Sequence, residues 1–363
     1  MSHTIQEIAD AIGGEAVGDT AIRIDGLAEP AQATARHLAL AAKPEFAARL
    51  GEGRARAALL AAGADWRGHG LEAAIYAPRP RLAMAGLTAM FDPGQGWQEG
   101  IHPSAVIDPR ARLGEGVSIG PLSVVGAEAE IGAGCVIGPQ CHVGAGARIG
   151  PGGLLREGVR IGARVVIGAR FIAQPGAVVG GDGFSFVTPE TSGVERARAT
   201  LGDQGEARAQ SWLRIHSLGA VEIGDDVEVG ANATIDSGTI RPTRVGAGTK
   251  IDNLVMIGHN VEIGRDCLLC GHVGIAGSVR IGNNVVMGGK TGVSDNVFIG
   301  DNVITGGGTI VLANIPAGRV MLGYPAMKMD TTMELFKNLR RLKRLFQDVA
   351  DLKKTVSNRL PND

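Results

Sequence analysis

The chain has 363 residues, a formal net charge of -1, 44% apolar residues and only 4% aromatic ones. This balance excludes a disordered polar chain and leaves no overall basic field to gather nucleic acid. Glycine, at 56 residues, is the outlier, and points to many tight turns with small interior side chains. The opening Met1-Ser2-His3-Thr4-Ile5 has no basic stretch leading into an apolar one, and no apolar run is long enough to span a bilayer. A cytoplasmic protein without a transmembrane segment is expected.

Residues 1–100 read as a small α/β domain. Thr4 is placed to cap a helix through Ile5, Ile8 and Ile12, and Gly13-Gly14 is placed to stop it. Strand-like pieces such as Ala21-Ile22-Arg23-Ile24 follow.

From Ile107 a period of six takes over: aliphatic, usually Gly, two variable residues, a small or β-branched residue, one variable residue. Ile131-Gly132-Ala133-Gly134-Cys135-Val136 is typical. The phase runs for 13 hexads to Phe184, breaks, resumes for three from Ile223, slips by four residues at Arg241–Arg244, then runs for 12 from Val245 to Pro316. Ile, Leu or Val leads 25 of these 28 hexads and Gly follows in 19. Such spacing suits neither an amphipathic helix nor a single alternating strand. It suits a short strand and a turn, three to each rung of a triangular solenoid, with aliphatic columns inside and glycine supplying the dihedrals of the corners. At ~4.8 Å per rung this gives about nine coils and a prism on the order of 45 Å long. The solenoid is expected over 101–325, with an excursion at 185–222 and a helical extension at 326–363.

Cys267-Leu268-Leu269-Cys270 has a gap that zinc sites use, yet Cys135, Cys141 and Cys267 share the small-residue slot of the hexad, which favours packing over metal binding. In the C-terminal extension, Thr331-Thr332-Met333-Glu334 resembles a capping box. Leu335, Leu339, Leu342, Phe346 and Val349 follow at helix-pairing steps. The same segment carries Lys337, Arg340, Arg341, Lys343 and Arg344, either a solvated face or a docking site for an acidic protein.

Stacking turns sequence separation into proximity. His259 is third in its hexad, and three hexads later the same slot is Gly277; three hexads earlier, across the slip, it is Ser237 beside Asp236. An imidazole one rung from a glycine backbone offers a base for an amine nucleophile and an N–H for the oxyanion of a carbonyl under attack. The bland alternative is a polar surface histidine in a turn. His272, in another slot, and His102, His142 and His216, far along the chain or out of phase, are weaker candidates.

The order of Gly181-Asp182-Gly183-Phe184, an irregular excursion, Trp212, Thr234-Ile235-Asp236-Ser237-Gly238, Ile251-Asp252-Asn253, Gly258-His259-Asn260-Val261 and a C-terminal helix resembles the bacterial UDP-3-O-(3-hydroxyacyl)glucosamine N-acyltransferases of lipid A synthesis. The resemblance covers nearly the whole chain. It implies a mainly β fold, a left-handed parallel β-helix of hexapeptide repeats with a small N-terminal α/β domain and a C-terminal helix. Handedness comes from the resemblance alone, since the usual crossover rule favours the right hand.

The resemblance further implies a homotrimer and transfer of a 3-hydroxyacyl chain from acyl carrier protein to the 2-amine of a UDP-linked acylglucosamine. His259 would be the general base and Gly277 the backbone oxyanion donor. No resident cofactor is implied, because 4'-phosphopantetheine arrives on the carrier. Substrate contacts are implied at Asp182, Phe184, Asp236, Asn253, Asn260, His272 and Asn296, and in the uridine-binding stretch at Leu40, Lys43 and Phe46. The basic helix is the expected carrier-docking site. Three features depart from the family pattern: Asn296 stands where a second histidine is frequent, Leu40 and Lys43 replace an aromatic and an asparagine, and 186–214 is longer than expected. A zinc carbonic anhydrase and a non-enzymatic scaffold on the same coil are the other classes weighed. The first lacks an evident third imidazole, and a bare scaffold has no use for the flanking regions.

Overall fold

The structure is a computed structural model in which residues 2–206, 209–323 and 328–357 are described. The chain divides after Trp97 into two compact units. In the first, a five-stranded sheet runs in the order Glu15–Gly18, Ala73–Tyr76, Ala57–Leu60, His37–Ala41, Gly26–Ala28, all parallel except the first pair. Alternation along each strand feeds two cores. Leu38, Leu59 and Ile75 pack with Ile5, Ile8 and Leu87 of the flanking helices, whereas Ala39, Ala58 and Leu60 pack with Leu50 on the other face. Thr4 caps helix Ile5–Ile12 reciprocally with Glu7, and Gly13 ends it at φ 63°.

The second unit is a three-sided parallel β-helix whose faces hold ten, ten and nine two- to four-residue strands. Ile119 pairs with Ile137, Val125 with Val143 and Ile131 with Ile149, so each rung takes 18 residues. Across the excursion Ile167 pairs with Ile223, and across the four-residue slip Ile223 pairs with Val245, so both interruptions bulge outward while the interior columns continue. The ladder exceeds the nine coils expected from the hexads. Ile101 bridges to Ile119 at one end and Val320–Met321 pairs with Ile304–Thr305 at the other, edge rungs whose sequences have lost the repeat.

The corner geometry gives glycine two roles. The left-handed dihedral falls on the fourth residue of the hexad, where Gly134, Gly152 and Gly158 supply it as expected, but Asn260, Asn284, Asn296, Asn302 and even Leu254 also sit at φ of 62°, 55°, 60°, 57° and 60°. Glycine predominates in the second slot for a different reason: a Cβ on Gly132 would lie 2.5 Å from the Pro151 nitrogen of the next rung.

The excursion forms its own antiparallel pair, Phe186–Val187 with Leu213–Arg214, and a helix, Gly193–Thr200, capped reciprocally by Ser192 and Glu195. The C-terminal helix spans Met329–Ser357, so Thr331 is inside its first turn and the expected capping box does not form; Asp330 Oδ1 instead accepts the Thr331 N–H at 2.6 Å. The expected boundary at 325–326 lies outside the described residues.

Cys135, Cys141 and Cys267 are buried in the columns and donate to carbonyls of the next rung at Gly150, Arg156 and Gly282. Cys270 instead lines a surface groove with Lys250 and Asp252. Burial pushes the Cys141 thiol up to about 11 from 9.0. Between those values the unfolded chain gives up this proton while the native one keeps it. The contribution is therefore intact below pH 9 and is lost as pH climbs toward 11. Denaturant titrations at pH 8 and pH 10.5 should show Cys141→Val losing less stability than the native chain by about 1 kcal/mol; equal losses would contradict the buried thiol.

Candidate active site

His259 sits at the corner that follows strand Met256–Ile257, where the repeat places a third-slot side chain outside the prism. Pairing of Ile257 with Ile275 sets Gly277 one rung above it. A Cβ on Gly277 would lie 2.7 Å from both Cε1 and Nε2 of His259, and one on Gly183 would lie 2.7 Å from the His259 Cβ. The imidazole is thus held between two glycines, and only glycine leaves it the room. The Gly183 N–H is itself fixed, donating to Ser217 Oγ at 2.9 Å.

Asn260 sets the tautomer. Its Oδ1 accepts from the Thr239 N–H at 3.1 Å and the Thr239 hydroxyl at 2.9 Å, while its Nδ2 donates to the Arg241 carbonyl at 3.2 Å. With the amide oriented by these bonds, the 2.9 Å contact to His259 Nδ1 assigns the proton to Nδ1 and leaves Nε2 with its lone pair. That bare nitrogen faces Gly277. Ala276 and Ser278 N–H groups donate to Val293 and His259 carbonyls, but among the described residues the Gly277 N–H has no acceptor. A lone pair and an unused main-chain donor therefore share one small space.

Asp236 faces the same space. Burial raises its carboxyl above the usual range, opposed by the neighbouring His259 imidazole and by the Phe184 N–H, and reinforced by Asp182. Asp182 itself is more exposed, 4.0 Å from Arg214. Beyond His259 opens a cavity of about 860 Å³, whose coil-side wall is His259, Ala276, Gly277, Ser278, Asp295 and Asn296. Asn296, two rungs above, donates its N–H to the Gly277 carbonyl and its amide to Asp295. The opposite wall is the excursion, where Phe184, Phe186, Val187, Val194 and Trp212 alternate with polar residues, Glu195 and Arg198 among them. Sequence reasoning found no role for that segment, and the one signal it offered was the clustering of Phe184, Phe186 and Trp212 around a polar stretch.

The remaining expected residues lie elsewhere. Asn253 and His272 stack at another corner, one rung apart, with the His272 N–H donating to the Asn253 carbonyl at 3.1 Å and Asn253 Oδ1 accepting from Ala231. In the first unit Leu40 is partly buried near the end of its strand; Lys43 is exposed, 3.8 Å from Glu45; and Phe46 packs partly against the second core. Lys337, Arg340, Arg341, Lys343 and Arg344 are all exposed on the C-terminal helix, Arg344 lying 4.0 Å from Asp348. Among the described residues no group of three or more His, Cys, Asp or Glu is placed to hold a metal, and no helix is long and apolar enough to cross a membrane.

The family described as "Bacterial transferase hexapeptide (six repeats)" matches residues 242–277, the stretch that carries His259 and ends at Gly277. The UDP-3-O-acylglucosamine N-acyltransferase of Ruegeria pomeroyi is 68% identical over all 363 residues, covering 100% of both chains. That of Paracoccus denitrificans is 62% identical over 99% of this chain and 98% of its own. The chain belongs to this N-acyltransferase family. Among solved structures, the Arabidopsis UDP-N-acetylglucosamine acyltransferase superposes with a TM-score of 0.50 at 24% identity, covering 62% of this chain and 71% of that one, a likeness of fold. The solenoid is accordingly the left-handed β-helix of hexapeptide acyltransferases, and the chain is an acyltransferase.

Within an N-acyltransferase, Gly277→Ala tests the packing directly. Its methyl would meet the imidazole at 2.7 Å and must push it aside. Turnover should fall by about a hundredfold or more with the melting temperature little changed; near-native turnover would show that the imidazole position is not needed.

Proposed function

We propose that this acyltransferase moves a 3-hydroxyacyl chain from acyl carrier protein to the 2-amine of UDP-3-O-(3-hydroxyacyl)glucosamine, giving the UDP-2,3-diacylglucosamine used in lipid A biosynthesis. The observation that carries the reading is the Nε2 edge of His259 lying against Gly277, whose N–H has no acceptor among the described residues, with Asn260 Oδ1 bonded to the opposite ring nitrogen. In this reading the amine nitrogen attacks the thioester carbonyl carbon and the C–N bond forms. The carbonyl electrons move onto oxygen, where the Gly277 N–H stabilises them. His259 Nε2 takes the amine proton, and the carboxylate of Asp236 stabilises the imidazolium so formed. Collapse breaks the C–S bond, and the imidazolium returns its proton to the departing thiol. Positioning, one base and one donor suffice, so no resident cofactor enters; the phosphopantetheine is part of the carrier.

Asn296 keeps its place at the rim of this site without a titratable ring, and in this reading it orients rather than transfers protons. We assign uridine binding to the first unit, which carries Leu40 near the end of one strand and Lys43 and Phe46 at the helix after it. The family names of the relatives support the UDP-sugar acceptor. A cytoplasmic location follows from where both substrates would be met.

A homotrimer is supported by the unlike faces of the prism. One face turns Val136, Leu154 and Ile172 outward on lower rungs and Leu268, Val286 and Ile304 on upper ones, two apolar stretches parted by Glu228 and Lys250 that another copy would cover. A second face turns out Arg112, Glu130, Arg148, Glu222, Arg244, Glu262 and Arg280, a ladder that suits water. The helix Met329–Ser357, with Leu335, Leu339, Leu342, Phe346 and Val349 all exposed, offers another apolar edge.

His259→Ala should leave the oligomer and its melting temperature unchanged while turnover drops by roughly two to four orders of magnitude. Retained activity would remove His259 from the role of base. For the carrier, Arg340→Glu with Arg341→Glu should raise the apparent KM for acyl carrier protein several-fold at low salt, the effect shrinking at high salt. Carrier kinetics indifferent to both changes would move docking off this helix.

A further inference from the structure

The excursion between the first and second blocks of repeats is a wall that nothing in the chemistry of His259 and Gly277 requires. The large apolar side chains of the cavity, Phe184, Phe186, Val187, Val194 and Trp212, all come from this side, interspersed with polar ones such as Glu195 and Arg198, while the coil's side is polar or small. Phe184, Val194 and Trp212 are 85%, 54% and 55% exposed, so these side chains are not serving a core. They face a cavity of about 860 Å³ whose other end is the catalytic imidazole. Apolar groups held open to water beside a reaction centre mark a surface that a ligand covers.

The wall is also anchored. Phe186–Val187 is paired with Leu213–Arg214, and the Arg214 guanidinium lies 4.8 Å from the Phe186 ring centroid. The short helix Gly193–Thr200 is capped at Ser192, and its Arg198 reaches Asp295 on the coil at 3.2 Å, one residue before Asn296. Val194 is carried on the first turn of that helix, so its reach into the cavity is set by the Arg198 anchor one turn later.

We propose that this excursion is the acyl-reading wall of the enzyme, with Val194 and Trp212 contacting the aliphatic chain of an acyl group at the reaction centre and Arg198 with Asp295 holding the wall in register. The inference rests on the acyl-transfer reading above and adds to it the element that sets chain-length preference. An alkyl chain leaving a carbonyl held between His259 and Gly277 finds the large apolar side chains of the cavity, Val194 and Trp212 among them, only at the excursion. Each methylene covered there is worth roughly 0.8 kcal/mol, so a wall of this kind discriminates chains by length.

Two acyl chains meet at this centre, one on the donor thioester and one already on the acceptor sugar. Both are aliphatic, and the experiment separates them. Purified full-length Val194→Trp and Val194→Ala are assayed by mass spectrometry against a donor series of short, medium and long 3-hydroxyacyl carriers, and against an acceptor series with the same range of 3-O-acyl chains. Filling the cavity with Trp should lower the long-to-short ratio of kcat/KM by about tenfold or more in one series, and Ala should shift it the other way. Whichever series responds names the chain that the wall reads. Ratios within about twofold of the native chain in both series, for both folded variants, would overturn the proposal. Absence of any N-acyl transfer by the unaltered chain would instead sink the acyl-transfer reading, and this one with it.

Discussion

The structure depends on how closely successive rungs of the prism approach at the second residue of each hexad. On the corner that follows the charged face this residue is glycine in every rung, as at Gly114, Gly132, Gly150, Gly168, Gly224, Gly246, Gly264, Gly282 and Gly300. There a Cβ would lie within 2.8 Å of the backbone above. Such contact holds the pairing at 18 residues per rung and forbids drift. A fixed register in turn lets columns of Ile, Leu and Val stack without gaps, which is where the burial energy of this unit resides.

The corner that carries His259 relaxes this rule where chemistry is needed. Its second slots read Gly126, Gly144, Gly162 and Gly180 along the lower rungs, then Asp236, Gly258, Ala276 and Ser294. At Gly258 the nearest atoms to a built Cβ are at 3.0 Å, against 2.5 Å at Gly132. The rungs stand slightly apart at this point, and a carboxylate replaces glycine beside the imidazole. Departures from the repeat thus locate the site within a wall that is otherwise uniform.

Much of this was legible before any coordinates. Periodicity converts counting into distance, so the stacking of His259 under Gly277 followed from their equal slots. Counting also separates residues: Asn253 precedes His259 by one hexad and therefore occupies another corner, as His272 does. What periodicity could not supply was anything aperiodic. The excursion carries no phase, and its return over His259 is set by an ion pair to Asp295, one short strand pair and a few isolated bonds such as Gly183 N–H to Ser217 Oγ. The role of glycine was read only in part, because composition reports its abundance and not its positions: the left-handed corners take glycine but also Asn, Asp, Arg and Leu, whereas the close approach at the corner after the charged face takes glycine in every rung. The helix start at Met329 escaped the capping rule because Asp330, inside the first turn, satisfies the N–H that Thr331 would otherwise leave bare.

The two halves of the site differ in what holds them, and that difference divides the work. His259, Asn260 and Gly277 belong to consecutive rungs, tied by ladder bonds such as Gly258 N–H to the Ile275 carbonyl and Ser278 N–H to the His259 carbonyl, so a shift of one residue would disturb every rung above. A base and an oxyanion donor need such fixity, since their contribution falls steeply with misplacement. The apolar wall needs only to be near, and it hangs on a strand pair and a surface ion pair, interactions that tolerate change in the residues between them. Substitution in the excursion can therefore alter which chain is accepted without disturbing the atoms that make and break bonds. Reading and reaction are separable in this fold because one is built from repeat and the other from its interruption.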